Sequence, residues 1–464
     1  MGTTRRHGWT PITAPGPEGG EMLRSFGAIR ANPLGFLESS WHTFGDVVQF
    51  PIPVPPTFLI THPDGVRRVL QANHKAYGKA TVQYRNLALV TGEGLLAADT
   101  PAWRRQRKVV QPAFHPRAVM SVADHTVAAA ERRAAIWSQA GARPGVTADS
   151  EPIVDVDEEM MRTALEVVGA ALFGADLQRQ SAALVAATQE ALAGVVMRTR
   201  NPLPLPMRVP TRANRALRRA VARLNRLVAE LVSNRRRQPP PSEPVDMLDV
   251  LLAADTLSER EVRDQVVTFI VAGHETVASS LTWTWYLLGQ HPDVADQVAK
   301  EADAVYGARP PTFADVPALN TAMSVSDESL RLYPPGWLIS RKSIAPDDVQ
   351  GHHLPTGSLV LISPYLVHRH PSAGADRLEF RPERFATGPP PPVNGTYIPF
   401  GAGPRLCIGR EMARVESALM VSRLAQQFKL QPTSAAPARV DPMVMLKPRG
   451  GLLMRVVARS SPGV

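Results

Sequence analysis

The sequence predicts a mainly α-helical protein with a minor β portion. Apolar residues recur at helical spacing over most of the chain beyond residue 100, alternating apolar and polar stretches are confined to two short regions, and no apolar run approaches membrane-spanning length. Pro51–Ile60 (PIPVPPTFLI), set between proline and glycine turns, reads as short strands of a small sheet. Helical patterns then cover Ala102–Gln111, Ala118–Ala140, Asp155–Phe173, Ser181–Met197, Arg212–Arg237 and Met247–Ala254. They continue over Ser258–Gln290, His291–Tyr306 and Pro317–Leu332, and a further helix follows Cys407. Between Arg341 and Val367 the stretch DDVQGHHLPTGSLVLIS alternates around turns, so strands return there. The proline-rich Asn201–Pro210 (NPLPLPMRVP) cannot be a continuous helix and reads either as a connector or as a stiff apolar lid over a pocket. Arg237–Val245 (RQPPPSEPV) reads as a surface linker. No internal repeat or clear break divides the chain, so residues 1–464 are expected to form one domain, with 1–20 a flexible N-terminal segment.

With 44% hydrophobic and 20% charged residues the composition is that of a globular, water-soluble chain. The net charge is +10, with 45 arginines against 7 lysines. Such a balance suits nucleic acid, an anionic membrane or an acidic protein partner. The arginines are dispersed apart from Arg235-Arg236-Arg237 at a helix end, and no helix-turn-helix, zinc finger or aromatic–basic interleaving is present, so nucleic-acid binding is not expected. The N-terminus MGTTRRHGWTPITAPGPEGG has no apolar stretch behind its arginines, and Arg6 breaks a myristoylation signal. The most apolar run, Leu165–Ala175, is far short of the ~20 residues that span a bilayer. No stable membrane anchor is expected, and the cytoplasm is the default location.

One cysteine, Cys407, excludes an internal disulfide and a cysteine-built zinc site. It lies in FGAGPRLCIG, Phe400 to Gly409, ahead of IGREMARVESALMVSRL, in which Met412, Val415 and Leu419 keep helical spacing. Gly401, Gly403 and Gly409 permit backbone angles closed to other residues and the approach of a flat ligand. A sulfur near a helix N-terminus is biased toward thiolate, the form a metal needs. A lone thiolate suffices as the single axial protein ligand of haem iron. A small buried cysteine near a turn is the plainer alternative, but it leaves the glycines and Arg405 without a purpose.

FGAGPRLCIG resembles the haem-binding loop FxxGxRxCxG of the cytochrome P-450 family, the haem-thiolate monooxygenases, at Phe400, Gly403, Arg405, Cys407 and Gly409. Three further segments match in the same order. ESLRLYPP is similar to the family's ExxR helix, and the resemblance implies a buried structural triad of Glu328, Arg331 and Arg384. AWRRQRK fits WxxxR, so Trp103 and Arg107, one helical turn apart, are expected at a haem propionate together with Arg405 and Arg341. AGHET, Ala272–Thr276, sits inside the long helix that opens with a Ser258/Glu261 capping box. Gly273 costs about 1 kcal/mol relative to alanine there, and Thr276 can bond back to the Ala272 carbonyl, so a kink is expected. The resemblance implies an oxygen-binding groove in which Glu275 and Thr276 relay protons to bound O2. His274 is not assigned a catalytic role, and His368 is expected to make a supporting hydrogen bond.

Taken together, the resemblance implies the P-450 fold, a triangular prism of helices with haem b (iron protoporphyrin IX) between the groove helix and the cysteine-loop helix. Cys407 would bind the iron, with Trp103, Arg107, Arg341, Arg405, Phe400, Gly409 and Ala272 around the cofactor. The substrate pocket is expected to include Leu95, Leu96, Val271, Ala272, Pro335, Gly336, Trp337, Val444 and Met445. This mostly apolar set fits a terpenoid, fatty acyl or polyketide-like molecule. With no flavin or iron–sulfur segment before Val464, electrons are expected from a separate ferredoxin or flavodoxin and its reductase. Arg104, Arg105, Lys108, Arg410 and Arg414 are candidates for docking that acidic partner. A peroxide-driven peroxygenase, a haem-thiolate isomerase or dehydratase, and a haem sensor or electron carrier share the cysteine loop and stay open at this point.

Overall fold

The longest element follows directly from its sequence. Ser258 caps the helix Glu259–Gln290: its hydroxyl accepts the Glu261 N–H while Glu261 accepts the Ser258 N–H, and the helix stops at His291, where Pro292 opens the next. It spans 32 residues and is buried on nearly every side. Three of its hydroxyls are satisfied within the helix: Thr276, Thr282 and Thr284 donate to the carbonyls of Ala272, Ala278 and Ser280. The helix is unbroken through Gly273. Gly273 also serves packing, because a Cβ there would stand 2.7 Å from Val168 on the neighbouring helix Val156–Phe173.

The computed structural model describes residues 12–51, 56–141, 151–174, 178–199, 205–239, 241–388 and 395–459. The groove helix lies in the main apolar core, against Val156–Phe173 and the helix Arg410–Gln427. Gln178–Thr199 packs on Arg212–Arg236, as their periodicity requires. No helix among the described residues is long and apolar enough to cross a membrane.

The β portion is small and sits to one side. Five strands pair in the order Val47–Phe50, Thr57–Ile60, Leu359–Ile362, Ile339–Ser343, Tyr77–Gly78, with only the Thr57/Leu359 pairing parallel. This sheet places Arg341 opposite Val360. A three-stranded sheet joins Ile153–Asp155, Leu453–Ala458 and Phe428–Pro432, and the hairpin Val440–Pro442/Leu446–Pro448 holds Val444 and Met445 in its turn.

Further expectations need correction. Pro317 lies inside a separate 3-10 turn, Phe313–Ala318, and the helix that follows is Asn320–Leu332. Residues 12–20 make defined contacts: the Thr13 and Ala14 N–H groups donate to the Gln49 side chain, Ala14 is buried, and a helix starts at Gly19. Of the proposed lid, residues 201–204 lie outside the described residues. Leu205 to Pro210 are non-helical and are fastened by Arg198 and Asn214, whose side chains donate to the carbonyls of Leu205, Pro206 and Val209.

The Asn320–Leu332 helix carries the ion pair that organises the chain beyond it. Glu328 is fully buried. It accepts two hydrogen bonds from Arg331, at 2.6 and 2.8 Å, one from Arg384 at 3.1 Å and one from the Arg381 N–H at 2.8 Å. Arg331 also donates to the carbonyls of Arg377 and Glu379. Each charge is therefore paired and hydrogen-bonded, the condition under which burial of ions is tolerated. His368 joins this cluster to the cysteine loop: its Nδ1–H donates to the Arg331 carbonyl and its Nε2 accepts the Ile398 N–H, both at 2.9 Å.

Two predictions follow from this cluster. Glu328→Ala, which strands the buried Arg331 guanidinium and the partly buried Arg384, is expected to cost about 3–5 kcal/mol in denaturant melts. Burial holds His368 neutral, lowering its pKa from 6.5 to about 3. The unfolded chain takes up a proton below pH 6.5 that the folded chain refuses, so this contribution to stability is complete above 6.5 and lost as pH falls toward about 3. Melts of His368→Gln across that window should show a shallower acid slope than the wild type.

Candidate active site

A cavity runs between the groove helix and the cysteine loop. Thr268, Ala272, Gly273, Thr276, Val277 and Ser280 line one wall, and Phe400, Arg405, Cys407, Gly409, Met412 and Glu416 line another. Positions 268, 272, 276 and 280 recur every fourth residue, which puts them on one helical face. The cysteine loop is shaped by local bonds. The Cys407 N–H donates to the Phe400 carbonyl, and Gly401 and Gly403 have φ of 74° and 70°. At Gly403 a Cβ would also fall 2.0 Å from the Leu70 carbonyl oxygen, so only glycine fits. Gly409 differs from expectation: its φ is an ordinary −89°, and it serves as N-cap of the Arg410–Gln427 helix.

The Cys407 thiol faces the cavity. Burial pushes its pKa up, and the Gly409 N–H with the Arg107 and Arg410 charges opposes that without reversing it. A bound metal cation would favour the thiolate further, since a coordinating thiol is deprotonated outright. At the cavity's rim three cations converge. Lys79 and Arg341 are buried and Arg405 nearly so, and burial together with mutual repulsion lowers the pKa of Lys79 strongly and that of Arg405 to about 10. Among the described residues, Asp99, 3.8 Å from Arg405, is the one carboxylate that acts on both. Such a cluster calls for added anionic groups, as two propionates would provide. A thiol on one wall, cations at the rim and a glycine-shaped loop together fit haem.

The remaining expected cofactor contacts fall close by. Arg405 donates to the Ala98 carbonyl at 2.9 Å and stacks 4.6 Å over Trp103. Arg107 donates to the Leu406 carbonyl, next to the cysteine, and Arg341 to the Ser340 carbonyl. Trp103, Arg107 and Arg341 all line the cavity. Lys79 was missed by sequence reasoning. One lysine in YGK carries no motif, and only the fold brings its Nζ to the Leu96 carbonyl at 2.7 Å. Glu416 was missed as well, although a carboxyl beside the apolar stripe of Met412, Val415 and Leu419 is a readable anomaly.

Of the expected pocket residues, Leu95, Leu96, Ala272, Pro335, Gly336, Val444 and Met445 line the cavity, joined by Tyr84, Leu87, Val168, Leu172, Phe269 and Leu338. Val271 does not: helical geometry turns it into the core, where it is fully buried. Trp337 also points away, packing with Val48, Phe50 and Leu59 and donating its indole N–H to the Met443 carbonyl. Glu275 is off the cavity wall too. Its Oε2 lies 3.3 Å from Lys447, which is 3.9 Å from Asp157, and its Oε1 lies 3.8 Å from His274. His274 is buried beside it, with Nδ1 bonded to the Ile270 carbonyl. Among the candidate docking residues, Arg105 pairs with Glu261, Arg410 with Glu411 and Arg414 with Asp327, the last largely buried. Arg104 and Lys108 are exposed and, with Arg107 and His115, form a shallow basic concavity on the outer face.

Comparison with known proteins agrees with this geometry. The cytochrome P450 family model matches residues 15–455. Cyclooctatin synthase of Streptomyces melanosporofaciens is 34% identical over 454 residues, 95% of this chain and 94% of that protein. Cyclooctat-9-en-7-ol 5-monooxygenase of the same organism is 35% identical, covering 91% and 90%, and pentalenene oxygenase of Streptomyces avermitilis is 30% identical, covering 99% of each. Among solved structures, CYP175A1 from Thermus thermophilus superposes with a TM-score of 0.77 at 30% identity, covering 96% of this chain and all of that one. The chain belongs to the cytochrome P450 family, and is a haem-dependent monooxygenase that uses O2, a redox partner and a hydrophobic substrate.

Proposed function

We propose that this enzyme hydroxylates a cyclic terpenoid, with haem b as its cofactor and a ferredoxin or flavodoxin, served by a reductase, as its electron donor. The observation that carries the reading is one cavity on which Cys407 and Thr276 stand on different walls while the rest of the lining is mainly apolar. A terpenoid is favoured over a fatty acyl or polyketide-like chain because relatives matching over most of their length are named for cyclooctat-9-en-7-ol and pentalenene. The lining offers few polar guides, which suits a compact hydrocarbon held by burial.

In this reading Cys407 binds the haem iron, and Arg341, Arg405 and Lys79 neutralise the propionates, with Trp103 and Arg107 completing that side. A thiolate-bound haem supplies the activation of O2 that leaves one oxygen atom in the product and the other in water. The protein's own groups orient and protonate. Phe269, Leu95, Leu96, Val444 and Met445 surround the substrate and exclude water. Thr276 presents a hydroxyl to the oxygen side, and Glu275, one residue away and tied to Lys447, serves as an acid behind it. The exposed cations Arg104 and Lys108 suit an acidic donor protein at the outer face. Residues 1–464 are read as a single haem domain.

Two measurements test this function. Haem-loaded wild type should give the thiolate-type ferrous carbon monoxide spectrum and Cys407→Ser should lose it; an unchanged spectrum in the variant would remove the ligand assignment. Titration with cyclic terpene alcohols and hydrocarbons should shift the haem spin state at lower concentration than fatty acids do, and the opposite ranking would redirect the substrate class.

A further inference from the structure

One end of the five-stranded sheet gathers three chemically active side chains that the monooxygenase reaction does not use. Asp46 immediately precedes Val47–Phe50, His62 follows Thr57–Ile60 and caps the helix Pro63–Arg67, and His370 caps the short turn Pro371–Ala373 beyond Leu359–Ile362. Strand direction explains why they meet. The Val47/Ile60 pairing is antiparallel and is extended by the Thr61 N–H, which donates to the Asp46 carbonyl, while Thr57–Ile60 runs parallel to Leu359–Ile362. The start of one strand and the exits of two others therefore share one sheet end. There one carboxylate oxygen and one ring nitrogen of each histidine all lie within 4.8 Å of one another. His370 is buried and the other two are half-buried, and none of the three lines the haem cavity.

We propose that Asp46, His62 and His370 form a binding site for one divalent transition-metal ion of the zinc class, separate from the haem, which fastens three distant stretches of the chain together. Two imidazoles and a carboxylate are the donor set such ions take, whereas magnesium and calcium require oxygen ligands. The site is independent of the substrate reading.

The surroundings hold these groups as ligands are held. Asp46 Oδ1 accepts from the Trp41 indole and the Thr61 hydroxyl, both at 2.9 Å, and from His370 Nε2 at 3.2 Å. All of these bonds fall on Oδ1, so Oδ2 keeps its lone pairs for a cation. The two imidazoles meet edge to face with centroids 5.0 Å apart, and His370 stacks against Trp41. An oxygen acceptor stands near Nδ1 of each ring: Ser372 Oγ at 2.8 Å from His370, and the Asp64 carboxylate at 3.8 Å from His62. Metal-binding histidines give their second N–H to such acceptors, which fixes the tautomer. The Ser372 N–H donates to His370 Nδ1, so the ring proton sits on Nε2 and points at Asp46. An ion taking that place sends the proton to Nδ1, where Ser372 Oγ accepts it. The Asp64 N–H makes the same kind of bond to His62 Nδ1, and water can replace it at this half-buried end.

His370 lies two residues beyond His368, which joins the Glu328 cluster to the cysteine loop. An ion here anchors the outer end of that run.

The test is calorimetric titration of haem-loaded protein with zinc chloride, and with magnesium chloride for comparison, on wild type, His62→Ala, His370→Ala, Asp46→Asn and Ser372→Ala. Wild type should take up one zinc per chain. The affinity should fall about 10–100-fold in Ser372→Ala and further in each ligand variant. X-ray absorption at the zinc edge of the one-to-one complex should show two imidazoles. Zinc should raise the thermal midpoint of wild type and leave that of His62→Ala unmoved. His62 is half-exposed, so this variant should fold, and its ferrous carbon monoxide spectrum, which reports the haem site alone, should match wild type. Absence of one-to-one zinc uptake, uptake unchanged in the three ligand variants, or equal affinity for magnesium would overturn the proposal.

Discussion

A carboxylate with no exposed surface, Glu328, sets the position of the sulfur that faces the cavity. Arg331, Arg384 and the Arg381 N–H converge on it, and Arg331 in turn holds the carbonyls of Arg377 and Glu379. From the same residue a run of bonds leads to the cysteine loop. The Arg331 carbonyl accepts from His368, His368 accepts the Ile398 N–H, the Ile398 carbonyl accepts the Gly401 N–H, and the Phe400 carbonyl accepts the Cys407 N–H. A buried ion pair contributes little net stability against an apolar substitute. Its contribution here is geometric, because each donor in the run has its acceptor and the loop is held in one arrangement.

The groove helix solves a different problem, carrying polar groups through a core. Thr276, Thr282 and Thr284 return their hydroxyl protons to carbonyls four residues back, so they cost little when buried. That leaves the helix two chemically distinct faces. Thr268, Ala272, Thr276 and Ser280 turn to the cavity, whereas Glu275 is held by Lys447 from the hairpin whose turn carries Val444 and Met445. The acid and part of the substrate wall therefore hang from one hairpin.

Most of the fold was legible because its signals are local. The Ser258/Glu261 box, the Pro292 stop and the three-residue spacing of Glu328 and Arg331 each require only neighbours along a helix. The cysteine loop was legible because glycine, arginine and cysteine at fixed spacing leave few other uses. What sequence could not supply was direction. Val271 and Ala272 are adjacent and equally apolar, yet about 100° of helical rotation sends one to the core and the other to the cavity. Trp337 follows two cavity residues and turns instead to the sheet, where its indole finds the Met443 carbonyl. Lys79 is far from Arg341 in sequence, and only the sheet that pairs Tyr77–Gly78 with Ile339–Ser343 brings them together.

The same contrast explains why two carboxyls in one active-site region meet opposite environments. Burial by itself favours the neutral form of any acid, and a nearby cation opposes that preference. Glu275 has Lys447 at 3.3 Å, with Asp157 competing for the same ammonium group. Glu416 has equal burial and no charged neighbour among the described residues, and burial pushes its pKa up. Asp157 is the intermediate case: it is buried beside Lys447 but also beside Glu275 and Asp155, and its pKa is raised. Lys447 cannot fully satisfy two carboxylates at once. Each of these acids thus has its surroundings set by what stands next to it.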